Sequence, residues 1–247
     1  MDIEVALSAA EAAGIDEIVQ VGVDVPSSRE SLRLAQAWPQ IHAAVALHPN
    51  EAPRIHAEHG SSVLEGAWHE IAELAADPHV VAIGETGMDY FRTDASGRAA
   101  QEESFRHHLR IAKDLDKALV IHDRDAHGDI LRIADDAGPP GRVVMHCFSG
   151  DAAFAREVSE RGWYCSFAGV VTFKNAADLR AALGVVPRDR ILVETDAPYL
   201  APMPYRGKPN ASYLIPWTMR LMSEHLAVDL DELCRQVRAN TIAAFGL

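Results

Sequence analysis

Short apolar runs recur along the chain, separated by longer stretches in which apolar residues fall at helical spacing. The runs lie at 17–21, 43–47, 80–85, 118–122, 142–146, 164–167 and 190–194. They are close to continuous in Val, Ile, Leu and Ala, which fits strands buried on both faces. Amphipathic or alanine-rich stretches at 27–37, 62–75, 100–114, 126–136, 151–160, 176–183, 212–226 and 230–245 predict helices. Strands joined by helical crossovers imply parallel pairing, so the expected class is α/β, a TIM-type (β/α) barrel. The opening segment reads as helix, because Ile3, Leu7, Ala10 and Gly14 share one helical face and the filling is rich in alanine. A closed eight-stranded barrel would then want one more strand upstream, of roughly 5–6 residues. The first strand is therefore expected to be missing from this chain.

Four of the runs lead to a ligand-type side chain: Glu85 after VVAIG, His122 after ALVI, His146 after RVVM and Asp196 after ILVET. Such side chains at the C-terminal ends of several buried strands can assemble one metal site from distant segments. In Gly84-Glu85-Thr86-Gly87-Met88-Asp89-Tyr90 the glycines allow a sharp turn, and Glu85 has two oxygens with which to bridge two cations. The alternative is a glycine-rich turn carrying a solvated acid, with Asp89 orienting the loop. His122 could coordinate through one nitrogen while Asp123 or a backbone carbonyl fixes the other. Arg124 could hold a phosphate or pair with Asp125, and Asp125 could cap the following helix. Cys147 should point away from the side His146 faces and serve packing. Phe148 could stack on a base or anchor its loop in the core. Asp196 suits either metal binding or acceptance of a proton from water, against the alternative of a turn aspartate before Ala-Pro. Arg206 and Lys208 offer a phosphate clamp on a loop, and His48 is a candidate to line the mouth.

Composition narrows these readings. The 247 residues, 48% hydrophobic, suit one barrel domain spanning 1–247. A net charge of −13 argues against a broadly basic nucleic-acid-binding surface, yet leaves room for a nuclease whose cleft gains positive charge from metal. The three cysteines, Cys147, Cys165 and Cys234, form no zinc or disulfide pattern and read as small buried apolar residues in a reducing compartment. With no leader-like or membrane-spanning run in the sequence, cytoplasmic residence is expected and no membrane or protein partner is inferred. His69-Glu70-Ile71-Ala72-Glu73 lacks the second histidine of HExxH, and His56, His59, His107 and His108 read as solvated. P-loop, GxGxxG and GxSxG motifs are absent, which weakens kinase, dehydrogenase and α/β-hydrolase readings.

Taken together, GETGMDYF, VIHDRDA, MHCFSG, the stretch 162–173 and ETDAPYLAP followed by RGKPN resemble the TatD family of metal-dependent deoxyribonucleases, in order and spacing over nearly the whole chain. The resemblance implies a TIM-like barrel of the amidohydrolase type that binds two divalent cations and cleaves phosphodiester bonds of DNA, often from the 3′ end. Mg, Mn and Zn are not distinguished. Some relatives have other hydrolytic roles, including removal of D-amino acids from tRNA. By the same resemblance Glu85 contacts both metals, His122 and His146 complete one site, and Asp196 serves the other and receives a proton. The family's His-x-His pair on the first strand has no counterpart, since no histidine precedes His42. Either the natural chain starts further upstream, which is the preferred account, or the site is reduced and the protein a noncatalytic homologue.

Overall fold

The computed structural model describes residues 2–247. In chain order the elements are α1 (Ile3–Ala12), β1 (Ile18–Val21), α2 (Val25–Ala37), β2 (Ile41–Val45), α3 (Glu51–His59), α4 (Ser61–Ala75), β3 (Val80–Asp89), α5 (Arg98–Asp114), β4 (Ala118–Arg124), α6 (His127–Ala137), β5 (Val143–Met145), α7 (Ala152–Glu160), β6 (Tyr164–Phe167), α8 (Ala177–Leu183), β7 (Ile191–Val193), α9 (Ile215–Leu226) and α10 (Leu230–Phe245). The alternation of parallel strands with helices is that of the α/β, TIM-type class. Two compact units partition the chain, residues 17–146 with 244–247 and residues 2–16 with 147–243.

In the first unit β1 to β5 pair in parallel and in chain order, with Val21 against Ala44, Val45 against Ile83, Ile83 against Leu119 and Leu119 against Val143. Strands β2 to β5 are largely buried on both faces, as their apolar runs require, whereas β1, at the end of the strand order, is half-buried with Gln20 exposed, against expectation. Val45, Ile83, Leu119 and Ile121 are fully buried, and Ile71 of α4 with Phe105 and Leu109 of α5 belongs to the same core. Each such side chain is worth about 1.5–3 kcal/mol of burial. Local chemistry starts α2: the Ser27 N–H donates to the Asp24 carboxylate at 2.8 Å and the Asp24 N–H donates to Ser27 Oγ at 3.0 Å. This reciprocal cap, with Pro26 in the first turn, fixes where the helix begins. Pattern reading does not find α3, whose nine residues include Pro53 and only two buried positions, Ala52 and Ile55.

In the second unit β6 and β7 pair in parallel, Phe167 against Val193. Asp151 caps α7 by accepting from the N–H groups of Ala153 and Phe154, each at 2.9 Å. Asn240 of α10 ties that helix to the entry of β7, donating to the carbonyls of Arg188 at 2.7 Å and Ile191 at 2.8 Å. Phe148 is buried and stacks on Phe154, so it is a loop anchor and not a base-stacking residue.

Two expectations are corrected. Cys234 is exposed, while Cys165 alone of the three cysteines is fully buried. His108 is not solvated, since it is completely buried. Its Nδ1 donates to the Ser104 carbonyl at 2.7 Å, leaving Nε2 to accept the Leu47 N–H at 3.0 Å. Leu47 lies just past β2, where a buried N–H would otherwise go unmet. His107 packs its ring on Trp68 with centroids 3.9 Å apart. The buried positions of α5, among them Gln101, Ser104, Phe105, His108, Leu109 and Ala112, follow helical spacing, so periodicity already placed His108 on the inner face.

Burial pulls the His108 pKa down to about 4, against a small opposing pull from the Ser104 carbonyl. Because the folded value is depressed, the contribution is complete above the ordinary value near 6.5 and is lost as pH falls toward 4, where the unfolded chain takes up a proton that the folded one refuses. Denaturant unfolding between pH 7 and pH 4.5 should therefore show His108→Gln losing stability less steeply than the parent, by about 1.4 kcal/mol per pH unit. Equal slopes would refute this role for His108.

Candidate metal centre

The centre is built where β3 and β4 run side by side. The β3 register shifts between Ile83 and Thr86, after which Gly87 pairs with His122 and Asp89 with Arg124. Side chains two apart on a strand share a face, so Glu85 and Asp89 flank the gap left by Gly87, directly beside His122. The His122 main chain fills that gap, and its imidazole reaches both acids. Its Nδ1 lies 3.3 Å from Glu85 Oε2 and its Nε2 lies 3.5 Å from Asp89 Oδ2. A side chain at Gly87 would put Cβ 2.1 Å from the His122 carbonyl oxygen, and the residue has φ +141°. Glycine is therefore required both by contact and by conformation.

Two further imidazoles converge on Glu85. His146, immediately after β5, places Nε2 2.9 Å from Glu85 Oε2, and its own N–H donates to the Ile121 carbonyl at 2.9 Å. His48 places Nε2 3.9 Å from Glu85 Oε1 and sits edge-on to His122, with centroids 4.5 Å apart. His48, Glu85 and His122 each present a ligand atom within 4.8 Å of the others. The His48 Nδ1 accepts the Asn50 N–H at 3.2 Å, so the neutral ring carries its proton on Nε2, facing Glu85. In this arrangement His48 is a hydrogen-bond donor toward the centre, and ligation would need the other tautomer.

Asn50 joins the loop carrying His48 to the loop after β3. Its Nδ2 donates to Asp89 Oδ2 at 3.1 Å, while its Oδ1 accepts from Thr93 Oγ1 at 2.8 Å and from Gln101 Nε2 at 3.3 Å. Asp89 is buried and also accepts from the N–H groups of Phe91 at 3.0 Å and Arg92 at 2.9 Å. It thus orients the loop, as the sequence suggested, and faces His122 as well. Asn50, Thr93 and Gln101 escaped the sequence analysis, because uncharged amides and hydroxyls in loops carry no spacing signal of their own.

The electrostatics follow from this geometry. Burial opposes the charge of Glu85, but His146 and His122 outweigh it and hold the carboxyl well below the usual range. Burial also opposes the charge of Asp89, and His122 with the loop N–H groups and Asn50 reverses the effect. For His122 burial favours the neutral ring, yet the two flanking carboxylates raise its pKa. His48 is pulled down to about 4, chiefly by burial and then by its neighbour His122, so it is neutral at pH 7. A half-buried anion ringed by imidazoles is a donor set suited to a divalent cation. The buried His122 Nε2 faces Asp89 Oδ2 at 3.5 Å, which leaves Nδ1, on the Glu85 side, as the nitrogen placed to give its electrons to metal.

The other predicted residues fall as follows. Asp123 does not fix His122: it accepts from the Ala126 N–H at 3.2 Å and lies 2.6 Å from His127 Nδ1. Asp125, whose φ is +58°, does not cap α6, which begins after Ala126 with no side-chain cap. Arg124 is exposed and lays its guanidinium 3.9 Å over the Phe91 ring. Asp196, in the second unit, has φ +56° just beyond β7, and its carbonyl accepts the Tyr199 N–H at 2.9 Å. The loop that follows is pinned by Asn210, whose Nδ2 donates to the carbonyls of Thr195 and Tyr199, each at 2.8 Å. Arg206 on that loop lies 4.4 Å over Phe173, and Lys208 is exposed. The half-buried Cys147 donates its N–H to Glu194 Oε2 at 3.1 Å.

A parallel strand and helix framework with a histidine-ringed carboxylate within β3, beside β4, defines a metal-dependent hydrolase of TIM-type fold. Residues 1–246 match the family model described as TatD related DNase, and the chain belongs to that family. It is 39% identical over 242 residues, 96% of this chain and 89% of the relative, to a Mycobacterium tuberculosis protein named "Uncharacterized metal-dependent hydrolase TatD". It is 33% identical to the Citrobacter rodentium protein named "3'-5' ssDNA/RNA exonuclease TatD", covering 96% of this chain and 89% of that one. The crystal structure of YJJV, a TatD homologue from Escherichia coli, superposes with a TM-score of 0.90 at 26% identity, over 100% of this chain and 92% of that one.

Gly87→Ala tests the architecture of the centre. Its methyl meets backbone, which cannot swing aside, so it should cost about 1–3 kcal/mol or more in denaturant unfolding. By displacing His122 it should also weaken divalent-cation binding about tenfold in isothermal titration. Parent-like values in both measurements would show that the close pairing of Gly87 with His122 does not hold the imidazole in place.

Proposed function

We propose that this chain hydrolyses phosphodiester bonds in nucleic acid, acting as a deoxyribonuclease in the cytoplasm with two divalent cations. The observation that carries the reading is the half-buried Glu85 carboxylate, held ionised by its neighbours, touched by His122 and His146 and approached by His48. The name of the Citrobacter relative supports nucleic acid as the substrate. Family membership and the donor set support the use of divalent metal.

Glu85, His122 and His146 would hold one cation, with Glu85 shared and Asp196 serving the other. When bound, the cations supply Lewis acidity to the phosphoryl group and to the attacking water. Asp89, itself held by Asn50, faces Nε2 of the His122 ring from behind and leaves Nδ1 to coordinate. His48, neutral and protonated on Nε2, donates toward a phosphoryl oxygen as charge builds on it. Asp196 takes the proton released by water during attack, a role open to an ionised carboxylate at a strand end. Arg124, Arg206 and Lys208 bind flanking phosphates. The remainder of the acidic surface discourages nonspecific attachment to polyanions.

Metal-dependent release of nucleotides from an end-labelled DNA oligomer is the assay. Glu85→Ala should lower kcat/KM on the order of 100-fold or more, and by more than His122→Ala or His146→Ala, because one carboxylate serves both cations. Activity of Glu85→Ala equal to the parent would remove the central premise. Turnover of carboxylic esters or amides with none of DNA would redirect the reading to another hydrolysis. Absence of metal-dependent turnover on all of them would mark a noncatalytic homologue.

A further inference from the structure

The exposed ring of Phe91 stands out in the first unit. It leaves 65% of its surface open, against 50% for Val63, the next most exposed large apolar side chain of that unit. It is also held in place. Tyr90 continues the strand pairing by donating its N–H to the Arg124 carbonyl at 2.9 Å, and the Phe91 N–H donates to Asp89 Oδ1 at 3.0 Å. The guanidinium of Arg124 lies 3.9 Å over the ring. One side of the ring is thereby occupied by a cation, while much of the rest meets solvent. A neighbouring pair repeats the theme, with the Arg98 guanidinium 3.9 Å over the Tyr90 ring.

The position matters as much as the exposure. Arg124 is two residues beyond His122 on β4, so both side chains leave the same face of the strand, about 7 Å apart along it. Asp89, which faces His122, also accepts the N–H groups of Phe91 and Arg92. The carboxylate that orients the metal-facing imidazole therefore also sets the aromatic ring. A phosphate held at the centre would leave its attached nucleoside within reach of this ring. The base would find an apolar surface with a cation beside it, the combination that binds unpaired bases in single-stranded nucleic acid.

We propose that Phe91, backed by Arg124, is a stacking shelf for an unpaired nucleobase next to the scissile phosphate. The proposal rests on the nuclease reading above and names the part of the substrate that the centre itself does not contact. Stacking is tolerant of base identity, so the shelf does not select sequence. It requires a base free of its partner, which a duplex interior does not offer.

The test compares a labelled thymidine oligomer with an oligomer of equal length made of abasic deoxyribose phosphates. With a chelator present, fluorescence anisotropy reads binding without hydrolysis, and with metal present, initial rates give KM and kcat. Phe91→Ala should weaken binding of the thymidine oligomer and raise its KM about tenfold, within the range of about 1–3 kcal/mol for one stacked base. The penalty on the abasic oligomer should be at least fivefold smaller, and Phe91→Trp should restore the preference for thymidine. Equal penalties on the two oligomers, no penalty on either, or a parent that binds neither would overturn the proposal. A parent that binds thymidine oligomers through Phe91 yet cleaves none of them would uphold the shelf and sink the nuclease reading instead.

Discussion

Everything at the centre depends on one cross-strand pair, Gly87 of β3 against His122 of β4. The missing side chain at Gly87 lets the His122 backbone approach closely, and the residues two places to either side of Gly87 are acids. The ring is therefore positioned by covalent geometry before any hydrogen bond is made, because the strand repeat puts Glu85 and Asp89 beside its two nitrogens. The register shift at Gly84 and Glu85 is what brings the two strands into this alignment. A one-residue slip would turn both acids toward the opposite face.

Charge then explains why the arrangement is stable without being inert. A carboxylate this deeply set would ordinarily be driven to protonate, and an imidazole likewise driven to neutrality. Here each offsets the other's desolvation, so Glu85 stays anionic and His122 retains affinity for a proton. Ligand affinity for metal and for protons is competitive at such groups, and cation binding must expel what the imidazoles hold. His48 stands apart because burial, and then the neighbouring His122, keep it neutral. The centre thus combines one group that is permanently negative, one that exchanges proton for cation, and one that only donates.

Much of this is legible in the chain. Apolar runs ending in Glu85, His122 and His146 announce both the strand positions and the side chains they deliver, and the structure brings those three together. The helix starting at Leu230 is matched to the residue, because its apolar spacing is long and uninterrupted. Partnership is harder to read than position. Asp123 is adjacent to His122 in sequence, but alternation turns it to the other side of β4, where it meets Ala126 and His127, while Asp89 from the neighbouring strand takes the place assigned to it. His108 shows the opposite limit. Its helical spacing marks it as inward-facing, yet polarity alone suggests solvent; only the unmet Leu47 N–H supplies the reason to bury it. Asp196 is recognisable from its place after β7 and from the family motif, and periodicity says nothing of what it contacts.

The amide of Asn50 carries an implication for how such a protein can change. Through it the loop bearing His48, the loop after β3 and the start of α5 share one set of donors and acceptors: Asp89, Thr93 and Gln101 all meet the same side chain. Segments that trade hydrogen bonds in this way are inherited together. A chimera that takes residues 48–50 from one relative and 89–101 from another would mate two halves of different polar networks, leaving buried donors without acceptors at the base of the site. New specificity should then come most easily from positions that touch the network by backbone alone, such as Phe91 and Arg92, whose side chains are free to vary while their N–H groups keep Asp89 in place. The same carboxylate that makes the chemistry rigid leaves the recognition surface beside it open to evolution.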